Sequence, residues 1–147
     1  MSSEFYFSSP SLLQKEILRL HMKRKKGKLL IKRTGRLTKN QRLLIFQKSD
    51  GRCHVCSKEL TIDNFQADHI ISHISGGTHK ADNYLASCNT CNNYRWHYLP
   101  EELQLILKIG VWAKTEIEKQ TLLGQSIAIG YVKKETRRLK SNVLRQR

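Results

Sequence analysis

The sequence predicts an α+β fold, with a small cysteine-framed centre of short segments, flanking α-helices and a basic N-terminal arm. Three observations predict it. All four cysteines and five of the six histidines fall between residues 53 and 100. Amphipathic helical patterns lie on both sides of that stretch, whereas between the cysteine pairs the residues read as one short strand and loops. Charge divides the same way: residues 1–52 carry net +11, residues 53–100 net −1 and residues 101–147 net +5, within a total of +15 over 147 residues. That length suits one compact domain with arms. The predicted divisions are a basic helix and arm over 1–40, a central domain over 41–100 and a helical extension over 101–147.

The elements follow in order. After Pro10, Leu12, Leu13, Ile17 and Leu20 fall near helical spacing, which predicts a helix over 11–26 that Gly27 ends. Residues 28–35 read as a short strand or an arm. Thr38 is an N-cap for a helix through Gln47, and Asp50-Gly51 is a turn leading into the first cysteine pair. Residues 65–71 have strand character, followed by a loop from Ser75 to about Leu85. A short helix starts at Asn89. Pro100-Glu101-Glu102 opens an amphipathic helix through Leu103, Ile106, Leu107, Gly110 and Val111, and a last helix covers about 122–144.

The composition excludes several classes. No apolar run approaches the roughly 18 residues of a membrane span, and the start MSSEFYFSSP lacks the pattern of a secretory signal. The expectation is a soluble, cytoplasmic protein, bacterial or phage-encoded. A near-neutral centre between basic flanks is the charge layout of a nucleic-acid-binding protein. The densest run holds Lys23, Arg24, Lys25, Lys26, Lys28, Lys32, Arg33 and Arg36, eight cations without an acid. If about half met phosphates, binding would steepen by roughly 3–4 units against log salt, at about 0.9 per contact. Removing residues 1–36 is expected to flatten that slope and leave the centre assembled.

Cys53-His-Val-Cys56 and Cys88-Asn-Thr-Cys91 are two CxxC turns. Each can offer two thiolates to one tetrahedral Zn²⁺, because the two-residue gap lets both sulfurs face one centre. Disulfides are the rival reading, disfavoured without a secretory context, and a redox CxxC lacks its βαβ surroundings. Four protein ligands leave no open position, so such a zinc is structural.

Between the turns lie Asp68-His69, Gly76-Gly77, Asn83 and, beyond the second pair, Asn92. Neighbours on a strand point to opposite faces, so Asp68 can serve a hard metal ion while His69 serves as a base. Asp68 and Asn92, on facing elements, can hold one Mg²⁺-like ion. Each also has a plainer role: Asp68 capping a turn, His69 a satisfied core group, Asn83 holding a loop.

With these residues in view, the stretch from Arg42 to Trp96 resembles the HNH endonucleases, the ββα-metal nucleases, in their cysteine-framed form. The resemblance rests on GRCHVC, DHIISHISGG, DNYLASCNTCNNYR and their order. It implies a ββα-metal core stapled by a zinc on all four cysteines, with His69 as general base and Asp68 and Asn92 as ligands of a catalytic Mg²⁺ or Mn²⁺. It further implies that Asn83 braces the loop and orients the base, and that Arg95 contacts phosphate. Ser72 stands where relatives often have Pro. His73 and His79 are additional and read as solvated loop residues, His54 as a spacer in the first turn, and His97 as structural or phosphate-facing.

The activity implied is hydrolysis of DNA phosphodiesters around one metal ion, with RNA not excluded as substrate. A double-strand break would then need a homodimer or a partner nuclease. The alternatives are a non-catalytic, zinc-stapled nucleic-acid-binding module and an accessory subunit of a phage or restriction complex.

Overall fold

The structure, a computed structural model of the chain, describes residues 7–29, 35–95 and 97–145. The elements are α1 (Pro10–Leu29), α2 (Lys39–Lys48), β1 (Gln66–His69), β2 (Tyr84–Ser87), α3 (Asn89–Arg95), α4 (Pro100–Glu118) and α5 (Leu122–Arg145), with single 3₁₀ turns at His73–Ser75 and Ala81–Asn83. Helices and a two-stranded antiparallel sheet together bear out the α+β class. The chain forms two compact units, Met1–Leu103 and Gln104–Arg147. The basic N-terminal helix therefore shares a unit with the cysteine-framed centre, where the sequence suggested a separate arm over 1–40. Among the described residues no helix is long and apolar enough to cross a membrane.

In the first unit the core is Ile45 of α2, Phe65, and Tyr84 and Ala86 of β2, with Leu37, Phe46 and Leu60 packed around them. α2 starts where the sequence places it: the Thr38 hydroxyl accepts from Gln41 N–H, and the Gln41 side chain accepts from Thr38 N–H, a complete capping box. The far end of α2 is tied to the sheet through Ser49, whose hydroxyl donates to Ile45 C=O and accepts from Ala86 N–H. Asp50 and Gly51 both take positive φ and turn the chain into Cys53. The Arg42 guanidinium lies 4.1 Å from the centroid of the Phe65 ring and donates to Phe65 C=O.

β1 pairs with β2 in the register Gln66↔Ser87 through His69↔Tyr84. The strand was expected to run to Ile71, and it stops at His69. Ile70 N–H still bonds to Asn83 C=O, but the Asn83 side chain then takes both the N–H and the C=O of Ile71. A side-chain amide thus replaces the next rung of the ladder, and the chain is free to leave the sheet. β2 begins inside the loop that was expected to run to about Leu85 and continues over Ala86 and Ser87, which the residue pattern assigned to no element. Three of its four residues are buried, so Tyr-Leu-Ala-Ser lacks the alternation that marks a half-exposed strand.

α1 also departs from expectation by running through Gly27 to Leu29. A Cβ at Gly27 would lie 2.8 Å from Ile74 Cγ2, so this glycine lets the helix approach the loop after β1 and does not stop it. Leu20 is fully buried. Arg24, counted among the DNA-contacting cations, is instead buried against Glu102 at 2.9 Å. Glu102 also accepts from Leu99 N–H, capping α4 directly before Pro100. Lys25, Lys26, Lys28 and Arg36 are exposed, and Lys23 forms an exposed pair with Glu101. Lys32 and Arg33 lie outside the described residues, as does much of the expected strand or arm over 28–35.

In the second unit α4 is followed by a tight turn through Gln120, at φ 53°, and by α5. The Thr121 hydroxyl accepts from Gly124 N–H and donates to the Glu116 carboxylate. A Cβ at Gly124 would meet Glu116 C=O at 2.1 Å, so only glycine allows the start of α5 to lie this close to α4.

Candidate metal centre and active site

The two CxxC turns converge. Their four sulfurs lie within 4.8 Å of one another, with Cys56 and Cys88 Sγ 3.9 Å apart. Zn–S bonds of about 2.3 Å in a tetrahedron require sulfurs roughly 3.8 Å apart, so the set fits zinc. All four thiols are free, and 3.9 Å is far beyond the roughly 2.05 Å of a disulfide. Burial disfavours the Cys53 thiolate, but N–H groups of Cys56, Cys88 and Val55 aimed at its sulfur bring the pKa down to about 6. Burial and the neighbouring sulfurs push Cys91 up, as expected of four thiols sharing one site without a cation. Cys53 follows the α2 turn and Cys88 joins β2 to α3. A metal held by all four would pin these elements together.

Asp68 and His69 occupy opposite faces of β1, as strand geometry requires. Asp68 is buried with both oxygens engaged: His54 Nε2–H donates to Oδ2 at 2.8 Å, and Arg95 of α3 pairs with Oδ1 at 2.6 Å. Arg95 also donates to the carbonyls of His69 and Ile70. His54, read as a spacer, thus supports the central carboxylate. Nothing in its local sequence signals this, because the fold brings it across 14 positions.

Asp68, His69, His73, Asn92, Arg95 and His97 line one cavity of about 380 Å³. A buried carboxylate needs positive charge beside it, and Arg95 supplies that here. A hard divalent ion meets the same need, with Asn92 as a second oxygen donor lining the same cavity. The donor chemistry fits such an ion when Arg95 gives up Oδ1.

Asn83 is buried and braces the loop with three bonds: Oδ1 accepts from Ile71 N–H, and Nδ2 donates to the carbonyls of Ile71 (2.9 Å) and Thr78 (2.8 Å). Gly77 makes room for it. A Cβ there would lie 1.8 Å from Ile71 O and 2.8 Å from Asn83 Nδ2.

His69 packs against its cross-strand partner Tyr84 with the rings tilted by 43°, and edge-on against His73, each at 4.1 Å between ring centroids. Burial holds its imidazole down to about 4, with His73 and His79 adding to the effect and Asp68 opposing it, so the ring is neutral at pH 7. His73 and His79, read as solvated, are half-buried in this same cluster.

Residues 53–106 match the family model described as HNH endonuclease. The matched segment holds both cysteine pairs, Asp68, His69, Asn83, Asn92 and Arg95, so the resemblance read in the sequence is shown over that segment. No curated protein and no solved structure matches the chain.

Proposed function

We propose that this HNH endonuclease segment makes the protein a metal-dependent DNA endonuclease. The observation that carries the reading is the convergence of Asp68, His69, Asn92 and Arg95 on one cavity, in a unit that also holds a four-cysteine cluster able to take a metal ion. Asp68 and Asn92 would hold Mg²⁺ or Mn²⁺, which when bound polarises the scissile phosphate and stabilises the departing 3′-oxygen. His69 takes the proton of the attacking water on a ring nitrogen, its lone pair kept free at neutral pH by burial. Asn83 positions His69 by fixing the loop that leaves β1. Arg95, released from Asp68, pairs with a phosphate oxygen. Zinc on the cysteines is structural.

A second reading, a non-catalytic nucleic-acid-binding module, is favoured by one feature: Asp68 has both oxygens engaged. Supercoiled plasmid with Mg²⁺ or Mn²⁺, with and without chelator, separates the two. The expected result is nicking that chelator abolishes. His69→Ala should reduce it on the order of 10²–10⁴-fold, with zinc content and DNA binding retained. Cleavage at the wild-type rate in His69→Ala would remove the base assignment, and inert wild-type protein would favour the binding module.

A further inference from the structure

We propose that His69, His73 and His79 form a second, separate metal site for a borderline transition-metal ion such as Zn²⁺ or Co²⁺. The three imidazoles come from the end of β1, the 3₁₀ turn after it and the loop beyond Gly77. Each offers a ring nitrogen, and the three lie within 4.8 Å of one another. Metal–nitrogen bonds of about 2.0–2.1 Å in a tetrahedron need nitrogens roughly 3.3 Å apart, so modest ring movements close the set.

Hydrogen bonding prepares the rings for this role. His73 Nδ1 faces Gly77 C=O at 3.1 Å, and a carbonyl only accepts, so the proton sits on Nδ1 and the lone pair on Nε2. His79 Nδ1 is bonded to the Tyr84 hydroxyl. Fixing one nitrogen of a histidine so that the other can ligate is the usual support around a metal. The Nε2 atoms of His69 and His79 are both buried without a hydrogen-bond partner. Such orphaned polar atoms are rare in folded proteins, and a cation supplies the missing partner.

The donor set selects the ion. It holds three imidazoles and no carboxylate, because Asp68 lies on the other face of β1 and is engaged by His54 and Arg95. Imidazole suits zinc, cobalt, nickel or copper and not Mg²⁺. The loop is also stiff, since Asn83 clamps Ile71 and Thr78 on either side of His73. Three protein ligands leave a fourth position open to water. One consequence rests on the nuclease reading: a neutral imidazole has one lone pair, so an ion taken up through His69 leaves it none for a proton. Occupancy and base function then exclude each other.

The test reads binding and not cleavage, so its failure leaves the nuclease reading standing. Full-length protein with zinc on its cysteines is equilibrated with Co²⁺, and metal content and absorption are measured. With excess Mg²⁺ present to fill the Asp68–Asn92 position, the expected result is one cobalt per chain in addition to the zinc, with d–d bands and no sulfur-to-cobalt charge transfer. His73→Ala and His79→Ala should each weaken that uptake at least tenfold while keeping the zinc and the circular dichroism of the wild type. His97→Ala, in the same cavity, should bind cobalt as the wild type does. Absence of a second ion in wild-type protein, or wild-type uptake by folded His73→Ala, overturns the site, and so does an equal loss in His97→Ala.

Discussion

The Asn83 side chain does two jobs with one amide, ending β1 and holding the loop that carries His73. Both depend on its having an acceptor and donors on the same planar group. Asn83→Asp keeps the size but turns the Nδ2 donor into an oxygen facing the carbonyls of Ile71 and Thr78. Two part-buried carbonyls lose their partner and face a like charge, so destabilisation of about 1–3 kcal/mol is expected, read as a lower urea midpoint. An unchanged midpoint would mean the loop holds itself. Asn83 was legible in the sequence because Asp68-His69, Gly76-Gly77 and Asn83 follow one another in the order that carries the resemblance to the HNH endonucleases. His54 was not, because its contact with Asp68 exists only once the first cysteine turn folds against β1. The histidine cluster was hidden for a similar reason: His73 and His79 look like loop polar residues until the Tyr84 hydroxyl and Gly77 C=O fix their rings.

Among the elements, α3 is the least able to stand alone. Seven residues are well short of the roughly 12–15 at which an isolated helix becomes even marginal. It starts directly after Cys88, and Cys91 N–H points at the Cys88 sulfur, so its first turn belongs to the metal centre. Purified protein is expected to carry about one tightly bound zinc per chain under metal-limited conditions. Cys88→Ser should lose it together with the cooperative melting transition. A wild-type melting curve for Cys88→Ser would rule out a structural metal there.

α1 is held by a different device. Arg24 and Glu102 form a pair whose side chains are each only 10% exposed, whereas Lys23–Glu101 beside it is roughly half exposed. Arg24→Ala strands a buried carboxylate and is expected to cost about 3–5 kcal/mol. Lys23→Ala should cost about 1 kcal/mol or less. Chemical denaturation of the two variants checks the contrast, and equal costs would mean that burial of Glu102 is relieved in solution. The α2 cap and the starts of α4 and α5 were legible because capping residues, Pro100 and apolar periodicity are local signals. The end of α1 was misread because Gly27 answers to Ile74, a residue distant in sequence.

For the molecule as a whole, affinity for a polyanion has to come from outside residues 53–100, whose net charge is −1. The sequence alone suggested that residues 1–36 could be removed to test this. The fold changes that experiment, because the deletion would take away Leu20 from the interior and leave Glu102 without Arg24. The charge can be removed without the helix. Lys25, Lys26 and Arg36 are exposed, and replacing all three with Gln preserves helix propensity at the first two. Each phosphate contact contributes about 0.9 to the slope of log affinity against log salt, so the triple variant should flatten that slope by roughly 2–3 units. Binding at low salt should fall with it, while the urea midpoint stays near that of the wild type. Anisotropy titrations of a labelled duplex at several salt concentrations give the slope directly. A full-strength slope in the folded triple variant would show that these cations stay in solvent when DNA binds. The attraction would then have to come from the net +5 of residues 101–147 or from basic residues elsewhere in 1–52.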